Sequence, residues 1–322
     1  MTVTPQAPIA SPFGYRSTAL EVVAGIDLSG KVAVVTGGYS GLGIETVRAL
    51  AAAGATVYVA ARRPDVAAAD LADVAGEVVI VPMDLSDPAA IDAFAADLAT
   101  RTPTIDILIN NAAIMACPLA RDARGYESQL ATNHLGHFQM TAQLWPLLTA
   151  VGGARVVVLS SSGHARNSMD LSDPHFDRRA YDKWSAYSQA KGANALFALS
   201  LDDLGAAYGV RAFSVDPGGI RTPLQRSLTM AEMTAMGWYD ADGNLNDMFK
   251  STEQGAATSI WCAVSPLLVG MGGVYCADCN IAAPWVDGAP SYIGVHPHVV
   301  DRVNAEAWWA ASETMTGLRF VG

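Results

Sequence analysis

Val32-Ala33-Val34-Val35-Thr36-Gly37-Gly38-Tyr39-Ser40-Gly41-Leu42-Gly43 is the stretch that decides the fold. Its first half is a continuous β-branched run, too apolar to alternate, as expected of a strand buried on both faces in a parallel sheet. Its second half is rich in glycine and opens directly into an apolar helical pattern, about Gly43 to Ala53, closed by Gly54. Glycines let the backbone turn tightly and let a pyrophosphate approach the N–H groups of a helix N-terminus. The spacing is not that of the usual dinucleotide fingerprint, so the position of the cluster between strand and helix carries the reading.

The same alternation continues outward. Strands are expected at Thr56 to Ala60, Val78 to Val81, Asp106 to Ile109, Arg155 to Leu159 and Val210 to Val215. Helices are expected at about Pro88 to Arg101, Tyr126 to Thr149 and Ala186 to Tyr208, with a weaker one before Val78. Strands alternating with helices of this length imply βαβ units, right-handed crossovers and an α/β fold of the Rossmann type with a doubly wound parallel sheet. No internal repeat or composition break divides the chain. Residues 1–25, with prolines at 5, 8 and 12, read as an N-terminal arm carrying a short helical stretch around Ala19 to Ala24. Residues 26–322 read as a single domain, in which 163–185 form a polar insertion and about 223–252 a substrate lid.

Of the 322 residues, 51% are hydrophobic and 16% charged, enough for a large core and unlike a disordered chain. The formal net charge of -11 gives no general attraction for nucleic acid or anionic lipid, so neither is an expected partner. No signal peptide and no apolar run of about 18 to 20 residues is found, which makes a cytoplasmic protein without a membrane association the expectation. Cys117, Cys262, Cys276 and Cys279 include one CxxC but no second pair or spaced histidines, so they read as buried thiols and no metal site is expected.

The second strand runs into Ala61-Arg62-Arg63. An NAD-binding chain usually places a carboxylate here, roughly 20 residues beyond the glycine turn, to bond the adenosine ribose hydroxyls. A guanidinium cannot accept those bonds but suits a phosphate. Arg62 and Arg63 therefore favour NADP(H), with NAD(H) as the second choice and two surface-snorkelling arginines as the plainer account.

Tyr187-Ser188-Gln189-Ala190-Lys191 places a phenol and an ammonium one helical turn apart. Free tyrosine has a pKa of about 10, too high for a base at neutral pH, and a neighbouring cation favours the phenolate. Ser160-Ser161-Ser162, at the end of a strand, can hold a substrate oxygen beside the phenol. Alone the tyrosine–lysine spacing is a common surface pair. With the glycine turn and the serine run in this order it points to catalysis.

Together these segments resemble the short-chain dehydrogenases/reductases, specifically the subgroup containing retinol dehydrogenases and the WW-domain oxidoreductase. The likeness runs from about Ser17 to Ala283 and includes Asn110-Asn111-Ala112-Ala113, Thr132-Asn133-His134-Leu135-Gly136, Asp216-Pro217-Gly218-Gly219-Ile220-Arg221-Thr222 and Gly273-Val274-Tyr275-Cys276-Ala277-Asp278-Cys279. The resemblance implies Asn133, Ser161, Tyr187 and Lys191 as catalytic residues, with Asn133 holding an active-site helix and a proton-relay water. It implies cofactor contacts by Gly37, Tyr39, Ser40, Gly41, Leu42 and Gly43, by Asp84 and Leu85 near the adenine, and by Asn111, Ala112 and Ala113. Tyr187 and Lys191 would also border the cofactor, and Pro217, Gly218, Ile220 and Thr222 would meet the nicotinamide. A homo-oligomer is the family habit, which residues 163–185 could obstruct. Two departures stand out: the membrane anchor common among retinol-type members is missing, and Asp216 stands where histidine is common.

Of the histidines, His134, His137, His164 and His175 each read as structural or surface residues, His164 being the one of them best placed to face substrate. Trp184, Met230, Met233, Met236, Trp238, Tyr239 and Phe249 are either ordinary packing or the walls of a large apolar pocket. Trp308-Trp309 reads as covering either a subunit contact or the pocket mouth. The expected function is reversible hydride transfer between NADPH and a ketone, aldehyde or secondary alcohol, bulky and apolar. Rival readings are an NAD-dependent alcohol dehydrogenase, a non-catalytic cofactor-binding regulator, and an epimerase or dehydratase sharing the tyrosine and lysine.

Overall fold

A computed structural model describes residues 3–166 and 169–320. Asn167 and Ser168 of the expected insertion, and the first two residues of the expected arm, lie outside the described residues. Within them, β1 (Val32–Thr36), β2 (Thr56–Ala61), β3 (Val78–Pro82), β4 (Ile107–Asn110), β5 (Arg155–Leu159), β6 (Arg211–Asp216), β7 (Val274–Ala277) and β8 (Asn280–Ile281) form one sheet. Its order is β3-β2-β1-β4-β5-β6-β7-β8, parallel except where β8 returns against β7. The helices are α1 (Ala19–Val23), α2 (Leu42–Ala52), α3 (Pro64–Asp70), α4 (Pro88–Arg101), α5 (Ser128–Leu130), α6 (Gly136–Ala150), α7 (Lys183–Gly205), α8 (Met230–Ala235), α9 (Thr252–Val264) and α10 (Arg302–Thr316).

β1 shows why its sequence does not alternate. Ala33 and Val35 face one core, shared with α1, α2 and α9, while Val34 faces a second, shared with α4, α6 and α7. All three are fully buried, so both faces demand apolar side chains. The order reverses between β1 and β4, and at such a point the loops leaving the carboxyl ends diverge and leave a crevice.

Three expectations differ from the structure. The helix expected over Tyr126 to Thr149 starts later and is broken. Glu127 accepts the N–H groups of Gln129 and Leu130 at 2.9 and 2.8 Å, which fixes the start at Ser128. A π-helical turn over Ala131–Leu135 then precedes α6. The helix expected from Ala186 instead begins at Lys183, because Asp182 caps it by accepting the N–H of Ser185 at 2.7 Å. The arm is bound to the body rather than appended to it. Gln6 donates to the carbonyls of Tyr275 and Ala282 at 2.8 and 2.7 Å, and Asn280 bonds both backbone groups of Ile9. Beyond it α1 packs Ala19, Val22 and Val23 into the core. The motif at 273–279 supplies β7, to which the arm adheres.

Gly136 opens α6 directly beneath the turn after β3. A Cβ there would stand 2.3 Å from the carbonyl oxygen of Leu85, a backbone atom that cannot swing away. Gly136→Ala should therefore destabilise the protein by about 2 kcal/mol, seen as a lowered Tm in thermal unfolding, because overpacking against backbone forces the helix outward.

Candidate active site

The carboxyl ends of β1 to β6 border a single large cleft of about 1610 Å³. At its floor the glycine turn is held by Thr36. Its hydroxyl accepts the N–H groups of Asn111 and Ala112, each at 2.9 Å, and meets Nε2 of His137 at 2.9 Å. Asn111 in turn donates through Nδ2 to the carbonyl of Thr36 at 2.8 Å. Gly37 and Gly41 have φ of +62° and +56°, which a side chain would strain. No side chain caps the N-terminus of α2, and of its first N–H groups that of Gly43 turns back to the carbonyl of Ser40 at 3.1 Å. An uncapped helix start behind glycines fits a bound pyrophosphate.

Of the expected cofactor residues, Gly37, Tyr39, Ser40, Gly41, Leu42, Arg62, Arg63, Asp84, Leu85, Asn111, Ala112, Ala113, Tyr187, Lys191, Pro217, Gly218, Ile220 and Thr222 border the cleft. Gly43 does not. It is buried in α2, where a Cβ would lie 2.2 Å from the carbonyl oxygen of Gly37, so its glycine serves close packing of turn on helix. Arg62 and Arg63, at the end of β2, are exposed. Asp84 is engaged by Ser86, whose N–H and hydroxyl donate to it at 2.9 and 2.7 Å.

Ser161, Tyr187 and Lys191 come together on the opposite wall. β5 ends at Leu159, and the serine run turns back over α7. Ser161 and Tyr187 both border the cleft, a Cβ on Gly163 would touch both side chains, and the Ser161 hydroxyl accepts the N–H of Gly163 at 3.1 Å. Ser160 is instead committed to the carbonyl of Lys191 at 2.7 Å. Lys191 donates from Nζ to the carbonyl of Leu159 at 2.9 Å, and its ammonium lies 5.7 Å from the centre of the Tyr187 ring. Asn133 lies apart. It is fully buried in the π-helical turn, and its amide bonds both backbone groups of Ile114 at 2.9 Å. Ile114 borders the cleft, so Asn133 acts on the site's wall through it.

Electrostatics correct one sequence-based expectation. The tyrosine was expected to have its pKa lowered by Lys191. In the free protein burial pushes the Tyr187 pKa upward, the nearby Ser161 hydroxyl opposes it and the Asp216 carboxylate adds to it. Burial also draws Lys191 down to about 8, against the pull of Asp216. Desolvation of the phenolate dominates here, so Tyr187 rests as a neutral phenol.

His134 and His137 are buried and held neutral, with pKa values lowered to about 4 and about 3 by burial. His164 turns away from substrate: it is buried, bonds the carbonyl of Ser161 at 2.7 Å, and receives the N–H of His296 at 3.3 Å. Its role is to brace the serine loop. Met236, Trp238, Phe249 and Trp184 border the cleft, whereas Met233 packs behind them and Met230 faces solvent. Trp308 and Trp309 pack against α6 and α7, away from the cleft mouth.

Several bordering residues escaped sequence reasoning. Tyr15 and Arg16 reach in from the arm; Arg16 donates to the carbonyl of Phe249 at 3.0 Å and Tyr15 bonds that of Met248. Tyr292 and Ile293 arrive from the chain after β8, and Asp278 from the β7–β8 turn. No local motif marks the first four. The Asp278 position has φ of +53°, a conformation that aspartate tolerates better than most residues.

A family model for short chain dehydrogenase matches residues 31–233. A Streptomyces lividans protein described as a probable oxidoreductase is 45% identical over 291 residues, covering 88% of this chain and 97% of its own. Human retinol dehydrogenase 12 is 34% identical over 300 residues, covering 92% of this chain and 89% of its own. A crystal structure of an uncharacterised protein from Mycobacterium paratuberculosis superposes with a TM-score of 0.73 at 31% identity, covering 95% of this chain and all of that one. With the glycine turn, the wall of Ser161, Tyr187 and Lys191 and the parallel strand order in place, and with relatives matching along most of its length, this chain belongs to the short-chain dehydrogenase/reductase family.

Proposed function

We propose that this oxidoreductase uses NADP(H) to interconvert a ketone or aldehyde with its alcohol, and that its substrates are bulky and apolar. The observation carrying the cofactor reading is the end of β2. Ala61 stands where a ribose-binding carboxylate is usual, and Arg62 and Arg63 follow it, exposed at the cleft with no ion pair among the described residues. Two free guanidiniums beside a phosphate-binding turn suit an additional phosphate. The glycine turn and the start of α2 would hold the pyrophosphate, and Pro217, Gly218, Ile220 and Thr222 the nicotinamide end. When bound, the cofactor supplies or accepts the hydride.

The chain's own residues handle the oxygen and its proton. Ser161 offers a hydroxyl beside the Tyr187 phenol and orients the substrate oxygen there. Tyr187, a neutral phenol, gives its proton to the developing alkoxide in reduction and takes one back in oxidation. Lys191 holds positive charge behind the phenolate as it forms, and the turn containing Asn133 fixes Ile114 on the neighbouring wall. Residues about 223–252 serve as the lid and residues 26–322 as the catalytic domain. The substrate reading rests on Trp184, Met236, Trp238 and Phe249 around the cleft. Relatives whose name specifies retinol, an apolar alcohol, agree with it. A cytoplasmic setting would keep the four free cysteines reduced.

Tyr187→Phe should lower turnover of 1-tetralone by about 10²- to 10⁴-fold, the span of a general acid, while NADPH binding measured by fluorescence stays within about twofold. Unchanged turnover would remove the phenol from the reaction. Arg62→Ala with Arg63→Ala should weaken NADPH about 10- to 100-fold and leave NADH nearly untouched, the loss of about one charged hydrogen bond worth about 1.5–3 kcal/mol. Equal losses for both cofactors would contradict the phosphate reading. In a ketone series, kcat/KM should rise from acetone to 1-tetralone; a preference for acetone would sink the apolar-substrate assignment.

A further inference from the structure

The N-terminal arm carries a short tip that is anchored on both sides. Before it, Gln6 accepts the N–H of Tyr275 at 2.9 Å as well as bonding the carbonyls already described, and Asn280 holds Ile9. After it, Thr18 and Glu21 cap α1 reciprocally. Between these anchors Gly14 and Ser17 close a turn. Ser17 donates its N–H to the carbonyl of Gly14 and accepts the N–H of Gly14 on its hydroxyl, each at 3.1 Å. The two central residues of that turn, Tyr15 and Arg16, border the cleft.

They meet residues 247–249, the returning leg of the segment read as a lid. Arg16 donates to the carbonyl of Phe249 at 3.0 Å, to the carbonyl of Asp247 and to Oε1 of Gln254 at 3.4 Å. The Tyr15 phenol donates to the carbonyl of Met248. Two side chains of the arm thus bind three consecutive carbonyls of an irregular segment, and the planar guanidinium suits several acceptors at once. The next residue, Lys250, donates its N–H to the carbonyl of Gly219 at 2.8 Å and sets its ammonium 4.5 Å from the centre of the Tyr15 ring. The leg is held between the arm and the turn expected to meet the nicotinamide.

Phe249 is what this grip places. Its ring lies 3.7 Å from where a Cβ on Gly219 would stand and packs edge-on against Trp238, centroids 5.7 Å apart. Trp238 meets Trp184 at 6.3 Å and Trp184 meets Tyr187 at 6.5 Å, both edge-on. A wall of aromatic rings therefore runs from the arm-held leg to the Tyr187 phenol.

We propose that Tyr15 and Arg16 are positioning residues that fix Phe249 behind Trp238, which makes the N-terminal arm a determinant of selectivity for bulky substrates. The inference rests on the reading of the substrates as bulky and apolar. A small ketone needs only the Tyr187 end of the site, whereas a bicyclic one needs the wall in register, so loosening the far end penalises the larger ligand.

The test compares wild type with Arg16→Ala combined with Tyr15→Phe, which removes the bonds to the three carbonyls and keeps a ring beneath Lys250. NADPH-dependent reduction of 1-tetralone and acetone is measured, together with amide hydrogen exchange of residues 246–250 in the free protein. The ratio of kcat/KM for 1-tetralone over acetone should fall about tenfold, mainly through KM for 1-tetralone, a loss of the size set by one pocket contact. Exchange in 246–250 should quicken about tenfold as the leg opens locally. Arg16→Lys, which keeps the charge without the fork, should recover part of the ratio. If the double variant does not fold, Arg16→Ala alone is read the same way. An unchanged ratio, or exchange equal to wild type, overturns this inference while a wild-type preference for 1-tetralone keeps the substrate reading. A wild type that favours acetone, or reduces neither ketone, overturns both.

Discussion

The buried ammonium of Lys191 is held by the carbonyl oxygen of Leu159, 2.9 Å away at the last position of β5. A cation removed from water needs compensation at every donor, and here the partner is a strand end rather than a side chain. Asn194, one turn further along α7, shares the same carbonyl at 3.0 Å, and Ser160 closes the contact by donating to the carbonyl of Lys191. These three bonds set the rotation of α7 on the sheet. Tyr187, one turn before Lys191, then has one place to go: against Ser161, in the cleft. The catalytic wall thus follows from satisfying polar groups where parallel strands end.

The opposite wall obeys the same logic with different residues. At the end of β1 the hydroxyl of Thr36 satisfies the N–H groups of the Asn111 turn and meets the ring of His137, which burial keeps neutral. The glycine turn and the Asn111 turn are thereby fixed on adjacent strands, and the crevice opens between them and the serine loop. Asp216, at the end of β6, turns its own loop by accepting the N–H of Gly218 at 3.0 Å. Along the rim, short polar bonds thus join the loops after β1 and β4 and fix the end of β5 on α7.

Much of this was legible in sequence because the determining features are local. A short β-branched run followed by glycines and then by an apolar helical pattern reads as an interior strand and a turn from neighbouring residues alone. Lys191 and Tyr187 are four apart on one helix, so their proximity needed no tertiary knowledge. What was not legible depends on contacts distant in sequence. The π-helical turn at Ala131–Leu135 exists where Asn133 engages Ile114 and Gly136 meets Leu85, none of which has a periodic signature. Gly43 and Asn133 fit the family pattern yet stand behind the cleft, since motif position does not distinguish lining from bracing. Tyr15 enters from an arm whose attachment depends on Gln6 and Asn280, some 270 residues apart in the chain.

The lowered pKa expected of Tyr187 failed for a related reason: spacing reveals the ammonium but not the depth of burial. A neutral phenol is the right starting state for donating a proton during reduction, so that direction offers the most direct test of the central claim. Reduction of 1-tetralone with NADPH deuterated at the transferable position of nicotinamide C4 should place one deuterium on the carbinol carbon of 1-tetralol, while the hydroxyl proton comes from solvent. Alcohol formed without deuterium at that carbon, with the label still on the nicotinamide, would contradict the account.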